Sequence, residues 1–286
     1  MGDSILDRVV RLIVVAGRDI FGPVISPGSS YVSLGSSFAA GPGIKPRLDK
    51  AASRSGRNYP HLVAEALGLE LTDVTYSGAT TANILSEPQG EAPPQLDAVG
   101  PDTELVTVTV GGNDLDYIGT FLRGSMMNTL ARPIGLFSKR LGNRIRARVS
   151  YLKEQAEFDA VADRLVEIVN RIRESAPRSR ILLVDYLTVA GPTTRPRLDV
   201  PLNEEQLPSV VMMADGLAQA FAKAAARSGA ELVAASAASL DHGVGSAEPW
   251  TTGFGFRPGG GVGYHPNEAG MAAVADLVIR QLRTAD

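Results

Sequence analysis

Tyr31-Val32-Ser33-Leu34-Gly35-Ser36-Ser37-Phe38-Ala39-Ala40-Gly41-Pro42-Gly43 is the stretch on which the reading of this chain turns. A short apolar run stops at Gly35, two serines follow, and then come small residues and two more glycines. The pattern predicts a buried strand that ends abruptly and presents a serine at the start of a short helical turn. At such a turn a hydroxyl is exposed, backbone N–H groups lie nearby, and the helix start favours developing negative charge. Ser37 is therefore a candidate nucleophile, provided that a base takes its proton. Ser36 competes for the role from one residue away, and the plain alternative is a helix cap. Gly2-Asp3-Ser4 and Gly28-Ser29-Ser30 look similar, but neither follows a strand.

Working outward, Ser30–Leu34 is the first core strand, Tyr59–Leu67 a helix stopped by Gly68, and Leu69–Tyr76 a second strand. A turn-rich stretch, Ser77–Pro94, leads to Leu105–Val110, an apolar run suited to a strand buried on both faces. Residues 116–175 are helical in pattern, most clearly where Phe158, Val161, Leu165, Ile168 and Ile172 recur at helical spacing. Ile181–Tyr186 is a further strand, Leu207–Arg227 a helix ended by Gly229, and Glu231–Ala235 a fifth, weaker strand. A Gly-rich loop over 240–266 precedes a closing helix, Asn267–Leu282. Strands alternating with helices predict an α/β fold with a mostly parallel five-stranded sheet covered on both faces. No repeat or domain-splitting linker interrupts it. The expected division is an N-terminal extension over 1–28 and a single domain over 29–286, with a helical, basic insertion at about 116–175.

Parallel sheets bind ligands at the carboxyl ends of their strands. Ser37 follows the first strand, Gly78 the second and Asn113 the third, while His265 lies in the last loop before the last helix. Acyl transfer needs donors aimed at an oxyanion. The Gly78 N–H, in Tyr76-Ser77-Gly78-Ala79-Thr80, and the Asn113 amide, in Gly111-Gly112-Asn113-Asp114, are candidates, although Gly-Gly-Asn-Asp is also a good turn. His265 opens the closing helix in Tyr264-His265-Pro266-Asn267. It is a candidate general base or, more simply, a residue flanking a helix start. His242 is the second choice, in a loop that reads as mobile, and His61, beside Leu62 and Val63, is expected to pack.

With no cysteine among 286 residues, disulfides, thiolate metal sites and a cysteine nucleophile are excluded. That absence favours a chain that works without an oxidising compartment, which leans toward the cytoplasm and leaves secretion open. The N-terminal apolar stretch is broken by Arg11 and preceded by Asp3 and Asp7, the wrong charge for a secretory leader. A net charge of −3 gives no reason to expect a nucleic-acid partner. The histidines lack ligand spacing and there is no Walker-type phosphate loop, so no metal or cofactor is implied.

Together, Leu34-Gly35-Ser36-Ser37-Phe38-Ala39-Ala40-Gly41, Ser77-Gly78-Ala79-Thr80, Gly111-Gly112-Asn113-Asp114 and His265-Pro266-Asn267 resemble, in order, the sequence blocks of the SGNH/GDSL hydrolases over roughly residues 30–284. Tyr59–Gly68 and Pro93-Pro94-Gln95-Leu96 look like connecting segments of the actinobacterial lipase-like branch. The resemblance implies a three-layer α/β/α, flavodoxin-like fold and ester or thioester cleavage through a serine acyl-enzyme. It makes Ser37 the nucleophile and a donor through its N–H, Gly78 and Asn113 the rest of the oxyanion hole, and His265 the base. Two positions depart from the pattern. Ser36 stands where the family usually has aspartate, and Val262 stands where an aspartate usually orients the histidine. The expectation is a Ser–His dyad with a main-chain carbonyl near Val262 holding the ring; Asp241 and Glu248 are the alternatives.

The segment 123–153 carries Arg123, Arg132, Lys139, Arg140, Arg144, Arg146, Arg148 and Lys153 and no acidic residue. Met126, Met127, Leu130 and Phe137 lie among them. A solvated helix pair explains this plainly; the sharper expectation is a lid whose apolar face meets an acyl chain and whose basic face makes transient contact with a membrane, an anionic surface or a headgroup. An esterase or lipase acting on a small-molecule or lipid ester is the leading function. An acyltransferase with the same dyad, or a non-catalytic ligand-binding module on the same fold, are the alternatives.

Overall fold

The computed structural model describes residues 23–138, 140–141, 153–255 and 262–284. Most of the expected N-terminal extension and much of the basic stretch lie outside the described residues. The large sheet consists of β1 (Ser30–Gly35), β4 (Glu70–Asp73), β5 (Leu105–Thr109), β6 (Arg180–Val184) and β7 (Glu231–Val233). Its order is β4-β1-β5-β6-β7 and every pairing is parallel. A small antiparallel pair, β2 (Arg47–Asp49) and β3 (Arg54–Ser55), branches off after the first strand.

Counting only the large sheet, the order is 2-1-3-4-5, the flavodoxin-like arrangement. The chain leaves β1 toward one edge and returns to β5 on the other side, so neighbouring crossovers diverge between β1 and β5. A crevice forms there at the carboxyl ends, and Ser37 and Asn113 follow the two strands that flank it.

Both faces are covered. Helices α2 (Tyr59–Leu67) and α8 (Glu268–Arg283) pack together, as do α5 (Gln155–Ser175) and α6 (Gln206–Ser228), with α3 (Thr81–Leu85) against α5. β5 and β6 are buried at every position. This double burial explains why both read as unbroken apolar runs rather than alternating strands. The α5 stripe foreseen at Phe158, Val161, Leu165, Ile168 and Ile172 is buried throughout.

Several bounds differ. The second strand ends at Asp73 instead of Tyr76, because Asp73 turns its carboxylate onto the N–H (2.9 Å) and hydroxyl (2.6 Å) of Thr75 and so starts a turn. The strand expected to reach Ala235 stops at Val233, where α7 (Ala235–Ala238) begins. The expected helical region from 116 includes α4 (Tyr117–Phe137). Among the described residues no helix is long and apolar enough to cross a membrane.

Candidate active site

Gly35 ends β1 under tight constraint. Its N–H donates to Gln95 Oε1 (2.7 Å), and its carbonyl accepts from Gln95 Nε2 (3.1 Å) and from the Tyr76 N–H (2.9 Å). A Cβ here would stand 2.7 Å from the Thr109 carbonyl oxygen, so only glycine lets β1 run this close to β5. The next residue, Ser36, occupies the N-cap of α1 (Ser37–Ala40), but its side chain does not cap. Its hydroxyl lies 3.0 Å from the Tyr186 hydroxyl instead. Ser37 is the first helical residue, and its Oγ is 2.8 Å from His265 Nε2 across 228 residues of chain. Of the two adjacent serines, Ser37 is the one that meets an imidazole.

His265 is 7% exposed and its Nδ1 lies 2.9 Å from the Gly263 carbonyl oxygen. The carbonyl expected near Val262 is that of the following residue. Asp241 and Glu248 make no hydrogen bond to the ring among the described residues. The local geometry comes from Tyr264, which sits in the left-handed region at φ 62° and folds the chain so that the Gly263 carbonyl turns back to the imidazole. A bulky residue there is strained. It is held by stacking on Phe121, with ring centroids 3.8 Å apart, and by a 2.6 Å bond between its hydroxyl and Ser125 Oγ. Because a carbonyl only accepts, Nδ1 carries the proton and Nε2 presents its lone pair to the Ser37 hydroxyl. Burial pushes the His265 pKa down from its ordinary value, outweighing the Gly263 carbonyl, which acts in the opposite sense.

The two other residues singled out lie on the same rim, and neither hydrogen-bonds to Ser37 among the described residues. Gly78 is exposed and adopts φ +87°. Among the described residues nothing accepts a hydrogen bond from its N–H. Asn113 Nδ2 donates to the Ala79 carbonyl (2.8 Å), and the neighbouring Asp114 carboxylate accepts from the Thr81 N–H (3.1 Å) and hydroxyl (2.5 Å). These bonds lash the loop after β5 to the loop after β4, which fixes Asn113 relative to Gly78. A primary amide has two N–H groups, so Asn113 keeps one beyond the Ala79 bond.

The remaining histidines are committed elsewhere. His61 Nδ1 lies 2.7 Å from Asn58 Oδ1 and 3.3 Å from Asp73 Oδ2, a polar network at the start of α2 rather than the packing role expected of it. His242 is not loose: it stacks on Trp250 at 3.8 Å and its Nδ1 lies 2.8 Å from the Glu248 carbonyl oxygen. Tyr186, Gln95 and Tyr264 escaped the sequence reading as site residues. Tyr186 was within reach of the strand-end rule, since it lies two residues beyond β6.

The model of the GDSL-like lipase/acylhydrolase family matches residues 33–273. "Lipase 2" of Streptomyces coelicolor is 32% identical over 262 residues, covering 88% of this chain and 85% of that one. An "Esterase" of Streptomyces scabiei is 29% identical over 74% of this chain and 73% of its own length. Among solved structures, a phospholipase A1 from Streptomyces albidoflavus superposes with a TM-score of 0.63 at 22% identity, covering 88% of this chain and 99% of that one. An extracellular lipase from Streptomyces rimosus gives 0.63 at 23%, covering 91% and 100%. At these identities the structural likeness is one of fold. With the family model spanning most of the sequence and a relative at 32% identity over nearly all of it, the chain belongs to the GDSL-like lipase/acylhydrolase family and is a carboxylic-ester hydrolase.

Proposed function

We propose that this hydrolase cleaves lipid or small-molecule esters through an acyl-enzyme on Ser37, with His265 as general base and then general acid. The 2.8 Å approach of Ser37 Oγ to His265 Nε2 at the carboxyl rim of the sheet is the observation that carries this reading. In the first step Oγ bonds to the ester carbonyl carbon while its proton passes to Nε2. The carbonyl oxygen becomes an oxyanion and takes hydrogen bonds from the Ser37 and Gly78 N–H groups and the spare N–H of Asn113. Collapse of the intermediate breaks the bond to the alkoxy oxygen, which leaves as the alcohol with the proton from Nε2. Water, deprotonated by the same nitrogen, then attacks the acyl carbon; the bond to Ser37 Oγ breaks, that oxygen takes the proton back from Nε2, and the acid leaves. The carbonyl of Gly263 supports this role by holding the ring, so the lack of an aspartate at Val262 does not argue for a non-catalytic module. The test is labelling with a p-nitrophenyl alkylphosphonate. A stoichiometric adduct on Ser37 with release of one nitrophenolate is expected, and an adduct on Ser36, or none, would overturn the assignment.

A membrane-facing role for α4 has its own support. Phe121 and Leu122 of this helix pack against Tyr264 and beside Gly263, next to the base. Its outer side exposes Met126, Leu130 and Phe137, the last at 93%, with Arg132 and Arg140 also at the surface. An apolar stripe with basic neighbours suits an anionic lipid surface. Phe137→Ser is expected to weaken binding to phosphatidylglycerol vesicles about 10- to 100-fold, since withdrawing a phenyl ring forfeits roughly 1.5–3 kcal/mol of burial. Activity on a soluble short-chain ester should be unaltered, and unchanged vesicle binding would remove the lipid-facing role.

A further inference from the structure

We propose that Tyr186 is a positioning residue for hydrolysis: its hydroxyl joins the turn carrying Ser37 to the turn carrying Asn113, and removing it slows the chemical step while leaving substrate binding intact. The inference rests on the roles assigned above to Ser37 and Asn113 and extends them to a residue that hydrogen-bonds to their chain neighbours.

The phenolic oxygen lies 3.0 Å from Ser36 Oγ and 3.0 Å from the Gly112 nitrogen. The amide can only donate, so the phenol accepts from Gly112, and it shares a hydroxyl–hydroxyl bond with Ser36. Those two partners are the immediate chain neighbours of Ser37 and Asn113. They leave different strands, β1 and β5; the Ser36 N–H also donates to the Thr109 carbonyl at the end of β5 (2.8 Å), and the Tyr186 bridge continues that tie to Gly112, beyond the strand. The Tyr186 ring is itself fixed by Phe38, with centroids 4.6 Å apart, and by Phe221 at 6.0 Å. It also fills the space that any side chain at residue 112 would need: a Cβ on Gly112 would stand 2.8–2.9 Å from the ring and its hydroxyl. Gly112 is thus a glycine because the tyrosine approaches its backbone this closely.

Burial suits the phenol to this work. Tyr186 is 6% exposed and Ser36 1%, so water does not compete for either bond. Burial pushes the phenol up to about 12, which keeps its proton in place across the neutral range. The distance between the Ser37 oxygen and the Asn113 amide is the quantity this bridge sets, and misplacement of reacting groups by an ångström costs about a hundredfold in rate. At position 36 the phenol's partner is a neutral hydroxyl, so no buried charge needs a partner there.

The test uses Tyr186→Phe, Ser36→Ala and the double variant on a p-nitrophenyl ester, with rates normalised to active sites titrated by the phosphonate, so that only folded enzyme is counted. Tyr186→Phe is expected to lower kcat about 10- to 100-fold with KM changed less than about threefold. Affinity for an alkylboronic acid, which forms a tetrahedral adduct on the serine, should fall by the same factor as kcat/KM. The double variant should be no slower than Tyr186→Phe, because both residues act through one bridge. Unchanged kcat and boronate affinity in Tyr186→Phe, accompanied only by a lower Tm, would reduce the tyrosine to a packing role and overturn the proposal. Losses that multiply in the double variant would do the same. If Ser37→Ala is inactive while Tyr186→Phe is unimpaired, the bridge fails alone; if Ser37→Ala is active, the nucleophile assignment fails first.

Discussion

Ser37→Ala is expected to lower kcat/KM by about 10⁴-fold or more, and His265→Ala by a comparable factor. A loss of that size corresponds to roughly 5.5 kcal/mol of transition-state stabilisation. The two residues share one proton, so the double substitution should be little worse than the poorer single one. Independent, multiplying losses would contradict the dyad. The same pair predicts a pH profile. The base works only when neutral, and burial favours its neutral form, so kcat/KM of the native enzyme should fall on acidification only as pH drops through a value below 6.5. An acidic limb centred above 6.5 would mean that the imidazolium is stabilised in the site, as an undetected carboxylate partner would do. The sign for stability is the same: the unfolded chain binds a proton to this histidine at a higher pH than the folded one. The contribution of this group is present above the ordinary histidine range and is lost as pH falls below it.

Arg180→Ala is expected to cost stability without touching the chemistry. Arg180 is 4% exposed at the amino end of β6 and donates Nε and Nη2 to the two Glu231 oxygens, each at 2.9 Å. It also donates to the Leu282 carbonyl (3.0 Å), which ties the last turn of α8 to the sheet. Removing one partner of a buried pair typically costs about 3–5 kcal/mol. Glu231 retains some solvent, with 26% side-chain exposure, and keeps a 3.0 Å bond from Gln281. The lower figure is therefore the better guide. A loss of about 3 kcal/mol lowers Tm by roughly 6–12 °C in a domain of this size. In a parallel sheet the amino end of β6 lies at the rim opposite Ser37, so kcat per folded molecule should be unaltered. A Tm within about 2 °C of the native value, smaller than the least shift a 3 kcal/mol loss would give, would show the pair to be dispensable.

The parts of this architecture that could be read from the chain are those written in one local pattern. β5 and β6 are apolar runs, α5 repeats with a helical period, and Gly68 and Gly229 mark the C-caps of α2 and α6 with left-handed backbone. Serine 37, glycine 78, asparagine 113 and histidine 265 could be nominated because each follows or precedes such an element. The hairpin of β2 and β3 left no trace, since Arg47–Asp49 and Arg54–Ser55 are too short, and too polar but for Leu48, to show a strand pattern. Helix α3 was hidden in a stretch of turn formers; the Asn83 side chain secures its start by accepting from the Thr80 N–H at 3.0 Å. The choice between Ser36 and Ser37 also lay beyond local pattern. It depends on which hydroxyl faces His265 and which faces Tyr186, 150 residues away.

The carbonyl that holds the imidazole has a consequence for which changes this enzyme tolerates. Where a carboxylate does that work, one altered codon can delete it. Here the acceptor is part of the peptide bond that follows Gly263, and no exchange of side chain at that residue takes the oxygen away. Vulnerability is transferred from chemical identity to the path of the main chain, so insertions, deletions or a proline in this loop are the lesions to which the setting of the His265 ring against Ser37 is most sensitive.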